Sequence, residues 1–188
     1  SLSIPYFHII SDNKDLTINP MFFTKDVKMI QNEFRQQNEN STFIADIAFV
    51  NGYKSSSTKD KKNINHLFAK FQKNLKLSNF ITSDLNIFLE KVNNDTYLKV
   101  FDGNLQKESI KPKNLETLNS GFDIYLENEN FLISGGANIY ENLSKEKSDR
   151  FQYVLPYYNY SNKSILTNYG SIDLNSKGNS TLDNTNQH

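Results

Sequence analysis

The stretch STFIADIAFV, Ser41–Val50, sets Phe43, Ala45, Ile47 and Phe49 on one side of an extended chain and Thr42 and Asp46 on the other. Successive side chains of a β-strand point to opposite faces, so the run reads as a strand with one apolar and one polar face. The same period recurs along the chain. Leu16, Ile18, Pro20 and Phe22 alternate with Asp15, Thr17, Asn19 and Met21. Leu67, Ala69 and Phe71 oppose His66, Lys70 and Gln72, and Leu85, Ile87 and Leu89 oppose Asp84, Asn86 and Glu90. Phe122, Ile124 and Leu126 oppose Asp123, Tyr125 and Glu127, and Phe151, Tyr153, Leu155 and Tyr157 continue the scheme. Turn formers such as ISDNKD, QQNEN, KVNND, ENEN and NLSKEKSD separate the runs, and the longest link, Tyr53 to Asn63, reads as a solvated loop. No stretch keeps apolar residues at i, i+3 and i+4. Every segment therefore reads as a strand and every link as short or polar, an all-β antiparallel meander of about eight to ten strands.

Alternation alone fits two architectures of opposite polarity. A soluble sandwich buries the apolar face and shows the polar one to water. A transmembrane barrel turns the apolar face to lipid and the polar face to its lumen. Three features favour the barrel: long alternating runs, charge in mid-strand on the polar side (Glu33, Arg35, Asp46 and Lys70), and Tyr and Phe near strand ends, as in interfacial aromatic belts. The expected fold is a partial, open transmembrane β-barrel. In it Phe43, Ala45, Ile47 and Phe49 face outward while Glu33 and Arg35 face inward. The five aromatics of RFQYVLPYYNYSNKS, Arg150–Ser164, then fall into place, with Phe151, Tyr153, Leu155 and Tyr157 toward lipid and Tyr158 and Tyr160 at the interface.

Composition narrows the functional classes. The chain has 188 residues with 21 acidic and 21 basic side chains, so no net field favours nucleic acid. Arg occurs only at positions 35 and 150, and the absence of Cys excludes disulfides, thiol nucleophiles and zinc ribbons. No run of about 18 apolar residues exists to make a transmembrane helix. Neither end reads as a natural boundary, which suggests a fragment.

The order of several motifs carries a resemblance. Ile4-Pro5-Tyr6-Phe7 leads to a polar turn, then to the alternating Asp15–Pro20 and to Met29–Arg35. Lys91–Phe101 (KVNNDTYLKVF), RFQYVLPYYNYS and GSIDLNSKGNSTLDNTNQ follow. This succession resembles the N-terminal part of the β-barrel in the lipopolysaccharide-assembly outer-membrane proteins, the LptD family. Lys99-Val100 departs from the family pattern. The resemblance implies that residues 1–188 are a partial outer-membrane barrel, without the family's periplasmic jellyroll and closing strands. It implies non-enzymatic transport of lipopolysaccharide into the outer leaflet of the Gram-negative outer membrane, with no cofactor. The implied partners are lipopolysaccharide, a plug lipoprotein in the lumen, a periplasmic bridge protein, the barrel-insertion machinery and outer-membrane lipid. Pro5, Tyr6, Phe7 and Pro20 match the family's lateral gate and substrate path. Independently of the family, proline supplies no N–H to a ladder, so prolines in neighbouring strands weaken the seam between them.

Glu33, Arg35 and Asp46 read as an ion-pair network on the luminal face. A catalytic carboxylate pair is the weaker reading, since no nucleophile or cleft accompanies it. His8, His66 and His188 lack metal-ligand spacing. Asp12, Asn13 and Asp15 lack the Gly and distal Glu of a calcium loop and read as a hairpin turn. Asn40-Ser41-Thr42 is an Asn-x-Thr triplet expected by chance in a chain this rich in Asn. Gly135-Gly136 reads as a turn or bulge, and Pro156 as a strand bend or bulge. The alternatives are a soluble β-sandwich that binds carbohydrate through Tyr153, Tyr157 and Tyr158, and another outer-membrane barrel such as a porin.

Overall fold

The structure, a computed structural model, describes residues 1–23, 26–54, 61–105, 110–162 and 165–183, with 165–167 as backbone alone. Residues 55–60 of the Tyr53–Asn63 link, 184–187 of the GSIDLNSKGNSTLDNTNQ segment, and His188 lie outside the described residues. The strands are β1 (Leu2–Ser3), β2 (Tyr6–Ser11), β3 (Lys14–Phe22), β4 (Lys28–Gln37), β5 (Ser41–Tyr53), β6 (Lys62–Asn74) and β7 (Thr82–Val92). A short helix α1 (Tyr97–Phe101) and a 3-10 turn (Asp102–Asn104) follow. The chain continues with β8 (Thr117–Glu127), β9 (Phe131–Asn142), β10 (Phe151–Asn162), β11 (Ile165–Thr167), β12 (Gly170–Ile172) and β13 (Asn175–Asp183).

One sheet takes the strands in the order β1-β3-β4-β5-β6-β7-β8-β9-β10-β13, with β2 also on β3, and β11-β12 form a separate ribbon. Among the described residues the ladder starts at β1 and ends at β13 without closing on itself. The fold is thus the expected all-β meander, open at both edges. Short polar links enforce this order. Asn38 N–H donates to the Ser41 carbonyl at 2.7 Å and Asn128 N–H to the Phe131 carbonyl at 3.0 Å, closing tight antiparallel hairpins. The Asp12-Asn13 stretch is the β2–β3 hairpin turn, as its composition predicts.

The chain divides into two compact units. Unit 1 comprises Ser1–Lys70 and Leu89–Leu118. Its strands β3 to β6 bury Met21, Met29, Ala48, Val50, Ile64 and Phe68 on one face, and α1 buries Tyr97, Leu98 and Phe101, with Tyr97 against His66. The expectation that every segment is a strand fails here: the link from Asn93 to Glu116 carries α1. Tyr97, Leu98 and Phe101 fall at i, i+1 and i+4, one side of a helix, but one turn is too short to register as a helical period.

Unit 2 comprises Phe71–Phe88 and Asn119–His188. Gly135 and Gly136 lie inside β9 opposite Tyr158 and Tyr157, so the expected turn is strand. Tyr157 also departs from its expected face. Val154 pairs with Asn138 but Tyr157 with Gly136, so Leu155 and Pro156 oppose one residue of β9. This bulge, at a residue that brings no N–H to the ladder, inverts the alternation. Phe151 and Tyr153 share a face with exposed Ile139, whereas Tyr157 turns to the other side and donates a hydrogen bond to Asp123. Arg150 and Glu141 form a buried ion pair at 3.2 Å, and Arg150 also donates to the Lys145 carbonyl, which ties the β9–β10 turn to its strands.

Candidate functional site

In unit 1 the open face carries an apolar row, and the covered face mixes polar side chains with the buried Met21, Met29, Ala48, Val50, Ile64 and Phe68. Ile47 and Phe49 are 37% and 56% exposed, and Phe22 and Ile30 are open as well. Ile30 pairs with Pro20 on one side and Phe49 on the other, so these apolar groups form a continuous row across three strands. Phe43 and Ala45 are half-buried, and Phe43 touches Phe34 of β4 with ring centres 6.0 Å apart. On the other face Gln31, Glu33, Asp46 and His66 are each at most 3% exposed. Strand alternation alone places them there; β4, β5 and β6 simply deliver their even-spaced polar positions to one side.

Sequence reasoning anticipated Glu33, Arg35 and Asp46 as one network, and the structure splits them into two branches. Arg35 Nε lies 2.9 Å from Asp15 Oδ1 and 3.6 Å from Glu33 Oε1. Asp46 stands directly opposite Glu33 but takes other partners: Gln31 Nε2 donates to it at 2.6 Å, and His66 Nε2 lies 3.2 Å away. The other ring nitrogen of His66 is 2.7 Å from the Tyr97 hydroxyl, and the ring stacks on Phe68 at 4.1 Å. Burial, and then the Asp46 carboxylate nearby, push the Tyr97 phenol above its ordinary pKa. Gln31, His66 and Tyr97 were not singled out by the sequence as site residues. The only available signal was the place of His66 on the polar side of an alternating strand. Among the described residues no group of three His, Asp or Glu side chains is arranged to hold a metal ion.

The first seam of the sheet carries Pro5, Tyr6, Phe7 and Pro20. Leu2 and Ser3 pair with Phe22 and Met21, and Tyr6 with Ile18, so Ile4 falls opposite Pro20 and Pro5 opposite Asn19. The ladder is interrupted at Ile4 and Pro5. Ile4 N–H donates to the Pro20 carbonyl at 3.2 Å, which marks this as a hydrogen-bonding rung. Such a rung normally exchanges two bonds, and Pro20 has no N–H to return. Alternate residues point their N–H groups the other way, so the N–H that Pro5 lacks belongs to the outer edge of its strand. Pro20 weakens the seam, and Pro5 blunts the edge. Ser3 Oγ bridges the same seam to Asn19 Oδ1 at 2.7 Å. Tyr6 and Phe7 are 61% and 52% exposed beside it. Pro5, Tyr6, Phe7 and Pro20 therefore lie in unit 1 together with Gln31, Glu33, Asp46 and His66.

The three tyrosines of the sugar-binding alternative do not form one platform. Tyr153 and Tyr158 lie on one face of β10 and Tyr157 on the other, because the Pro156 bulge falls between them. Compared with known proteins, the chain matches no family and no curated protein.

Proposed function

We propose that this chain is part of an outer-membrane β-barrel that moves lipopolysaccharide to the outer leaflet, without making or breaking bonds. The observation that carries the reading is the open apolar row of unit 1, with Ile47 and Phe49 exposed while the opposite face seals Glu33 and Asp46 among apolar side chains. An apolar outer row is a liability in water and the normal condition in lipid. Transport of an amphiphile between lipid and an aqueous path requires a polar face, an apolar face and a seam that opens between them. The weakened Ile4–Pro20 rung supports the third element, with Tyr6 and Phe7 lining the way to lipid. Lipopolysaccharide, a luminal plug lipoprotein, a periplasmic bridge protein and the barrel-insertion machinery are the partners this reading entails, and the outer membrane is its location. Its support beyond geometry is the succession of motifs from Ile4 to the β13 region that resembles the LptD family.

A photo-cross-linking residue placed at Phe7 or Pro20, in the parent protein in Gram-negative cells, tests the reading. Lipopolysaccharide captured at both positions, and not at Gln36 on the far end of β4, is the expected result. Absence of a lipopolysaccharide adduct at either position, with the protein correctly inserted, would count against it. A porin reading predicts no such adduct.

A further inference from the structure

On the open face of unit 1 the apolar row stops at a single rung. Pro20, Ile30 and Phe49 lie side by side on β3, β4 and β5, and the next open positions on the same strands are Phe22, Lys28 and Asn51. Asn51 donates to Asn63 of β6 at 3.0 Å, which carries the polar rung one strand further. Lys28 is exposed and supplies the charge of this rung, while its nearest acid in sequence, Asp26, is committed to Lys61 at 3.1 Å. A groove of about 370 Å³ opens at the step, with Phe22, Ile30 and Phe49 as its apolar wall and Lys28, Asn51 and Asn63 at its polar end. The band ends again farther along β4, where Gln36 stands opposite Lys14 and donates to Asn38 at 3.1 Å. Between the two ends β3 presents Pro20, Ile18 and Leu16, and β5 presents Phe49, Ile47 and Ala45; Asn32 of β4 lies within the band and reaches the Ile47 carbonyl at 3.5 Å.

The spacing of the two polar ends says what covers the band. From Lys28 to Gln36 the strand runs about 26 Å at roughly 3.3 Å per residue. At the roughly 40° tilt of membrane barrels this spans about 20 Å, near the ~25 Å apolar band such barrels turn to lipid. A bilayer demands an apolar band of limited height with polar groups at both edges, whereas a protein partner sets no such limit. A lysine whose stem lies along apolar surface and whose ammonium stands at its end suits a lipid phosphate. We propose that the rung of Phe22, Lys28, Asn51 and Asn63 is where unit 1 leaves the hydrocarbon of a bilayer, and that Lys28 there holds the phosphate of a surrounding anionic lipid. This rests on the outer-membrane reading and adds to it a depth and a headgroup contact.

The chain reconstituted into vesicles of phosphatidylethanolamine and phosphatidylglycerol tests both parts. Single spin labels at positions 30, 32 and 49 should be more accessible to oxygen than to a water-soluble nickel chelate, and labels at 36 and 51 the reverse. Phosphatidylglycerol with a photoreactive headgroup should label β4 beside Lys28. Lys28→Gln should lower that labelling by up to about fivefold, and Lys113→Gln, at an exposed lysine elsewhere in unit 1, should leave it unchanged. A label at 36 or 51 as oxygen-accessible as one at 49 would overturn the boundary while leaving the membrane reading intact. Equal labelling in Lys28→Gln would overturn the headgroup contact. Labels at 30 and 49 that report water would overturn this inference and the membrane reading together.

Discussion

Glu33 stands directly across from Asp46 on neighbouring strands, and both are almost wholly removed from solvent. Like charges facing each other in a ladder repel. The structure offsets this by giving each carboxylate its own partners: Arg35 for Glu33, Gln31 and His66 for Asp46. The two residues are therefore unequal in what they contribute. Glu33→Gln should change stability by less than about 1 kcal/mol, because relief of repulsion offsets the weakened contact with Arg35. Asp46→Asn should cost about 1–3 kcal/mol, because the buried Gln31 amide loses a charged acceptor. Urea unfolding of the two variants and their double mutant in detergent gives the comparison. A larger loss for Glu33→Gln would contradict this assignment of partners.

The raised pKa of Tyr97 makes an alkaline prediction. A phenol whose folded pKa lies above its unfolded value stabilises the fold fully below the unfolded value, about 10, and that contribution declines as pH rises above it. The unfolded chain sheds this proton first, so stability should fall by up to about 1.4 kcal/mol per pH unit above about 10 from this group. In Tyr97→Phe that share of the decline should vanish. Unfolding midpoints measured at stepped alkaline pH for both chains provide the check; parallel curves would show that Tyr97 is not held un-ionised by its surroundings.

Pro20 and Pro5 should respond differently to alanine. Pro20→Ala returns an N–H to the Ile4–Pro20 rung and should strengthen the β1–β3 seam by about 1 kcal/mol. Pro5→Ala restores a donor only at the outer edge and should leave that seam unchanged. Amide exchange at Ile4 reports the difference directly, slowing in Pro20→Ala alone. Equal slowing in both would show that the two prolines act on the same seam.

The bulge at Leu155-Pro156 sets which side Tyr157 faces. With single cysteines introduced into this Cys-free chain, positions 153 and 158 should report one environment and position 157 the opposite one. Spin-label accessibility to oxygen and to a water-soluble nickel chelate distinguishes them. A common environment for 153 and 157 would place the register shift elsewhere.

Much of this arrangement is legible in the sequence because a period of two is local. Asp46 and Phe49 declare their faces by their immediate neighbours, and the turns around Asn13, Asn38 and Asn128 mark the hairpins. What could not be read depends on distance or on a single insertion. His66 and Tyr97 meet across 31 positions of chain, with no pattern linking them. One turn of helix carries too few residues to show a period. At Pro156 a single extra residue reverses parity, so the alternation of Phe151, Tyr153, Leu155 and Tyr157 is real in sequence and broken in space. The pairing of Arg35 with Asp15 rather than with Asp46 follows from strand register, which composition does not specify.

The most direct test of the central claim is the environment of the two faces of β5. Spin labels at positions 47 and 49, in the chain reconstituted into lipopolysaccharide-containing vesicles, should be more accessible to oxygen than to the nickel chelate, with mobility typical of lipid-facing sites. A label at position 46 should be shielded from both. Higher accessibility of positions 47 and 49 to the aqueous chelate than to oxygen would contradict a membrane-facing apolar row, and with it the proposed transport function.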